Sequence, residues 1–267
     1  MRFRNWVLAL AFAAPLLGNP AVWARDAKLK PKEPASFGTL KATTLESARS
    51  QALDWLKGVG KTDATTMQKF EAIWKDSERG ILDLVSATLE LGDADAAKLL
   101  ADAREPNTPA PTTVPAILKD GKQTAFYRGN LGLAYAKALS NRRVYEEALD
   151  TLKVIRPETV VEPATYFFHR AVAEHALLLK ADAGRSIVGL LEDVSDAPER
   201  YKMVGVLMYH NMQGWREKDL GEVARKMDNI ERRLELARGG PVTQKIQKEV
   251  VARLDEIIKQ LEKQGGS

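Results

Sequence analysis

From Thr43 to Lys263 the apolar residues recur three and four positions apart, in short runs closed by glycine or proline, and that spacing puts each run on one face of a helix. In the first run Leu45, Ala48, Ala52, Trp55 and Leu56 share a face behind the cap candidates Thr43 and Thr44, and Gly58 and Gly60 close it. A second run, from about Thr65 to Asp76, carries Met67, Phe70, Ile73 and Trp74. A third, from about Glu78 to Leu91, carries Ile81, Leu84, Val85, Thr88 and Leu89. Gly92-Asp93 then turns the chain into a short helix ending near Arg104, with Ala96, Leu99 and Leu100 inward. Isolated helices this short are unstable in water, so each must bury its apolar stripe against its neighbours. The expected fold class is therefore all-α: antiparallel helical hairpins stacked side by side.

The first residues read differently. Arg2 and Arg4 precede an apolar run from Trp6 to Gly18, followed by Asn19, Pro20 and Ala21-Val22-Trp23-Ala24. That layout predicts a signal peptide over 1–24, cleaved after Ala24, and hence an exported protein of the periplasm or cell envelope. The run is shorter than the roughly 20 residues a spanning helix needs, so no membrane span is expected after cleavage. With no cysteine in the chain, a lipidated cysteine, disulfides, thiolate metal sites and cysteine nucleophiles are excluded together. Residues 25–42 are polar and basic, and are expected to form a flexible lead-in. The 40 basic and 36 acidic residues are interleaved without a basic stripe, so no nucleic-acid partner is expected.

Four prolines between Glu105 and Pro115 cannot lie in a helix interior. They suggest a linker over 105–117, between an N-terminal helical subdomain (43–104) and helical hairpins over 118–218; an ordered loop wrapped over the core is the alternative. Pro163 can open one hairpin, with helices from Tyr166 to Leu179 and from about Ala183 to Val194, where Ile187, Leu190, Leu191 and Val194 face inward. Pro198 starts a further helix through Tyr201, Val204, Leu207, Met208 and Met212, ending near Trp215. Over 219–267, Leu220, Val223, Met227, Ile230, Leu234 and Ala237 form a heptad seam. Gly239-Gly240-Pro241 breaks it, and Val250, Leu254, Ile257 and Leu261 repeat it on a helix from about Val242 to Lys263. This C-terminal hairpin either caps the open end of the stack or pairs with another chain, giving a homo-oligomer through 219–264.

One stretch carries a family resemblance. Leu131-Gly132 is followed three residues later by Tyr135, and Tyr145-Glu146-Glu147-Ala148-Leu149 opens the next run, with Leu152 beyond. Residues 128–158 thereby resemble a tetratricopeptide repeat, in which the glycine lets two helices approach and the alanine is the small contact residue. Tyr135 and Ala148 stand farther apart than in the family pattern, by about one helical turn, so either the first helix is longer or the loop through Ser140-Asn141 is larger. Pro157 arrives early for the closing proline. The resemblance implies a short solenoid whose inner groove is lined by Phe126, Gly129, Leu133, Ala136 and Lys137. Of these, Phe126, Leu133 and Lys137 are the expected partner-binding residues. Only Lys137 matches the polar residues that grip a terminal carboxylate in some members, so an apolar groove is implied, either open to a helix or extended segment or filled by a neighbouring hairpin.

Catalytic signals are sparse. His169 and His175 are six positions apart and fall on different helix faces, and His210 is the third histidine. The chain lacks the Gly-Xaa-Ser-Xaa-Gly, His-Glu-Xaa-Xaa-His and phosphate-loop patterns. Asp93-Ala94-Asp95 suits a helix start better than a calcium loop. No catalytic residue, metal or cofactor is therefore expected. The sequence points to a non-catalytic interaction or scaffold protein with a protein partner. The alternative is a helical enzyme or accessory subunit acting on cell-wall polymer through paired carboxylates such as Glu162, Glu174 or Glu192.

Overall fold

A computed structural model describes residues 38–265; the expected signal peptide, and the lead-in as far as residue 37, lie outside the described residues. Among the described residues there are eleven α-helices: α1 (Leu45–Gly58), α2 (Ala64–Trp74), α3 (Ile81–Gly92), α4 (Ala94–Arg104), α5 (Ala125–Asn141), α6 (Tyr145–Val154), α7 (Pro163–Ala176), α8 (Lys180–Val188), α9 (Glu199–Gln213), α10 (Leu220–Glu235) and α11 (Pro241–Gly265). Five of their starts follow from capping side chains. Thr44, Asp63, Asp93, Thr124 and Asp219 each accept a hydrogen bond from an otherwise unsatisfied backbone N–H of the helix they precede. Helix α3, preceded by Gly80, is capped from far along the chain: Glu162 Oε1 accepts from the Leu82 N–H at 2.9 Å, and its Oε2 accepts from the Thr165 hydroxyl at 2.7 Å.

The main core joins residues from α1 to α7, among them Leu56, Phe70, Leu82, Leu100, Tyr127, Leu131, Leu139 and Leu152. Leu118 belongs to the same core, and Ala110, Val114 and Ile117 pack against it. Arg142 holds the proline-rich segment by donating to the carbonyls of Asp102 at 3.1 Å, Ala103 and Pro106 at 3.3 Å, and Thr108. The expected subdomain border at 105–117 is corrected on this point: one core runs through it, and the segment lies along that core as an ordered strip.

The hairpins α5–α6 and α7–α8 turn in the same way. Arg143 and Leu178 both have φ of 62°, and the residues that follow them, Val144 and Leu179, both have φ of −85°. The bonding matches: Val144 N–H donates to Leu139 O at 2.9 Å, and Leu179 N–H to Glu174 O at 2.8 Å. Buried positions repeat in the same register, Ala136 with Ala171, Ala148 with Ala183, and Leu152 with Ile187. Helix α5 is long, at 17 residues, and the loop that follows it is tight. A Cβ on Gly132 would stand 2.9 Å from Ile155 Cγ2, so the close approach of α5 to the end of α6 requires glycine.

Helix α9 and the C-terminal hairpin present other faces than expected. On α9 the buried seam is Tyr201, Gly205, Met208 and Met212, facing Ile187 and Leu190, while Val204 and Leu207 point outward. On α10 Leu220, Met227 and Leu234 are exposed, while Val223 and Arg232 are buried. Both helices carry apolar residues around much of their circumference, so periodicity alone could not select the face that packs.

Candidate interaction surface

The three expected partner-binding residues do not form one surface. Leu133 is 0 % exposed in the main core, and so is Ala136, because α3 and α7 cover that side of α5. Leu133 is therefore corrected from a groove residue to a core residue; the inner face is filled by the protein's own helices. Lys137 reaches α3, where its Nζ lies 2.8 Å from Asp83 Oδ1. Phe126 is half-buried about 16 Å away along α5, where it lines a shallow concavity with Trp55 and Val59.

The expected acids are also separated. Glu162 caps α3 and accepts from the Thr165 hydroxyl in the first turn of α7. Glu174 is buried between Arg170 Nε at 3.0 Å and the Ser186 hydroxyl at 2.6 Å. Glu192 is exposed, and its backbone carbonyl accepts from Gly38 N–H at 2.7 Å. His169 is 6 % exposed and its Nδ1 has no hydrogen-bond partner among the described residues; burial, and then the Lys137 charge, push its pKa down to about 4. The Tyr127 hydroxyl donates to Asp93 at 2.5 Å beneath the stacked Trp55 ring; burial raises its pKa, and Asp93 raises it further. No group of three His, Asp or Glu side chains suited to a metal occurs among the described residues, and no described helix is long and apolar enough to cross a membrane.

What remains at the surface is apolar and one-sided. Opposite its buried seam, α9 carries Met203, Val206 and Leu207, exposed by 66, 52 and 64 %. These positions fall on one side of a helix at about 100° per residue. They sit on α9, which closes the α7–α8–α9 layer, where a further helix of a stack would bury them. The sequence pattern contained these residues but offered two apolar sides. What distinguishes them is the opposite side, where Gly205 and Met212 are buried and face Ile187 and Leu190.

Beside this face a cleft of about 350 Å³ runs between the α7–α8 turn and α10, lined in part by His175, Trp215, Arg225 and Asn229. Asn211 Oδ1 lies 3.1 Å from His175 Nε2 and accepts from Trp215 Nε1 at 3.0 Å, and the Arg225 guanidinium stands 5.0 Å from the Trp215 ring centre. Arg232, on its far wall, belongs to an ion-pair network that fastens the C-terminal hairpin. Glu146 receives Arg232 at 2.7 and 2.9 Å, and also Arg233, while Arg238 reaches Glu147 at 2.9 Å and the Pro111 carbonyl at 2.7 Å. Burial pushes the Glu146 carboxyl up, but the hydrogen bond and charge of Arg232, with Arg233 behind it, hold its pKa below the ordinary value.

Comparison with family models, with curated proteins and with solved structures finds no match to this chain. Its class rests on its own architecture: an all-helical stack of short hairpins closed by a longer C-terminal hairpin.

Proposed function

We propose that this chain is a non-catalytic interaction protein of the periplasm or cell envelope, a short tetratricopeptide-like stack that presents a helix face to another polypeptide. The observation that carries the reading is the outer face of α9, where Met203, Val206 and Leu207 form a contiguous exposed apolar stripe on a well-packed helix. Such stripes on an otherwise polar surface mark protein contacts. The turn geometry shared by α5–α6 and α7–α8 supports the stack-like part of the reading. Export rests on the N-terminal sequence alone.

A photo-activatable residue at Leu207, with Lys98 on α4 as the control position, tests it in the producing cell. Irradiation is expected to give a protein adduct at Leu207 and none at Lys98. Absence of any adduct at Leu207 would refute the assignment of α9 as a docking face.

A further inference from the structure

The C-terminal hairpin has two used sides and one unused side. Helix α10 meets α11 through Val223, Lys226 and Arg233, with Lys226 Nζ 3.1 Å from Glu249 and Arg233 Nε 2.8 Å from the Thr243 hydroxyl. It meets the body through Asn229, Arg232 and Leu236. Leu220, Met227 and Leu234, spaced by sevens, lie on neither side and are exposed by 49 to 62 %. On α11, Val251 and Ile258, again seven apart, are 59 and 51 % exposed. At about 100° per residue, both sets turn roughly a quarter-circle in the same sense from the α10–α11 seam. Two antiparallel helices related by a twofold across their plane then present these sets on one common face, opposite the side that docks on the body.

We infer that this face packs against the same face of a second copy, closing an antiparallel four-helix bundle in which each α10 lies over the partner's α11. A two-helix apolar face with heptad spacing is half of such a bundle, and an isologous pairing buries it without leaving an open end. Charge selects the arrangement. The α10 edge away from α11 carries Asp228, which also borders the cleft toward the body, and Glu231, and the α11 edge carries Lys245, Lys248 and, farther along, Asp255; among the described residues none of the five is engaged in an ion pair. The Lys226–Glu249 contact sets the register, putting Asp228 and Glu231 level with Lys248 and Lys245. Stacking α10 on the partner's α11 brings these opposite charges together, whereas stacking α10 on α10 brings the two acidic edges together. This surface is separate from the α9 stripe, so the inference stands or falls independently of the function proposed above.

Light scattering after size exclusion, on the full chain as the producing cell processes it, is expected to give twice the mass of one chain. Met227→Asp should reduce this to one chain with an unchanged far-ultraviolet circular dichroism spectrum, while Met203→Asp on α9 should leave it doubled. Asp228→Lys with Glu231→Lys should weaken the pair roughly tenfold or more, and adding Lys245→Glu with Lys248→Glu should restore it. Because the chain has no cysteine, single cysteines can report the arrangement: a mixture of M227C and Q247C chains should form a disulfide-linked pair on oxidation. A single-chain mass at every concentration, or a doubled mass that survives Met227→Asp, overturns the interface. A doubled mass without the mixed disulfide and without rescue by the charge reversal overturns the α10-over-α11 arrangement.

Discussion

His169 makes stability depend on pH in a window that few other groups share. Its ring is 6 % exposed on α7, its Nδ1 has no partner among the described residues, and burial followed by the Lys137 charge lowers its pKa to about 4, from the 6.5 of a free imidazole. Above pH 6.5 the ring is neutral in both the folded and the unfolded chain and contributes nothing to pH dependence. Below 6.5 the unfolded chain takes up a proton that the folded chain refuses, so stability falls as pH falls, until the folded ring also protonates near 4. At about 1.4 kcal/mol per pH unit, the full loss is about 3 kcal/mol, of which about 2 kcal/mol appears between pH 7.5 and 5. Glu146 acts lower. Its folded pKa is depressed, so its stabilisation is complete above the ordinary carboxylate value and is lost only as pH falls below that. Urea denaturation followed by circular dichroism at pH 7.5 and pH 5, on the native chain and on His169→Leu, separates the two contributions. The native chain should lose about 2 kcal/mol between these conditions and the variant markedly less, whatever its absolute stability. Equal losses in the two proteins would refute the assignment of this slope to His169.

Other perturbations read other parts of the architecture. Glu146→Gln leaves Arg232, which is 3 % exposed, without its anion; the expected cost is about 3 kcal/mol, seen as faster hydrogen exchange over 220–264 than over α5. Gly92→Ala drives a Cβ to 2.6 Å from the Trp55 ring, and should lower stability by about 1–3 kcal/mol in thermal or urea melts. Tyr127→Phe removes the hydrogen bond to Asp93 while keeping the stack on Trp55, and should cost about 1 kcal/mol by the same melts. Arg142→Ala frees the carbonyls of Asp102, Ala103, Pro106 and Thr108, so 105–111 should become the site of fastest proteolysis while the helices keep their dichroism.

The helices were legible in the sequence because their boundaries are written in local chemistry. Thr44 caps α1, Gly58 ends it with Gly60 just beyond, and Pro163 opens α7, as their positions predict. The tight turn after α5 was not legible, because its left-handed residue is Arg143 rather than glycine or asparagine. The matching turn has Leu178 there, which hid the second hairpin's likeness to the first. The proline-rich segment reads as a border by composition alone. What makes it part of the core is Arg142, whose four carbonyl partners lie 34 to 40 residues away and leave no trace in local pattern.

The site was least legible, for a reason intrinsic to stacked helices. A helix at the end of a stack and a helix within it carry the same apolar content, and only the neighbours decide which stripe is covered. The sequence places Leu133 where a groove residue belongs, yet α3 and α7 close over it. It places Leu207 in a core seam, yet the side of α9 that carries Gly205 and Met212 packs on Ile187 and Leu190, and Leu207 is left outward. On α10 the heptad reads as a seam toward α11, but Arg232 has an anion waiting in Glu146, and satisfying that buried charge fixes the rotation of the helix. Leu220, Met227 and Leu234 are left facing away from both α11 and the body. Apolar faces that no described helix covers arise here because the Gly205–Met212 side of α9 and the Arg232–Glu146 ion pair occupy the interior in place of the leucine stripes. That competition places the two candidate docking surfaces on α9 and on the C-terminal hairpin.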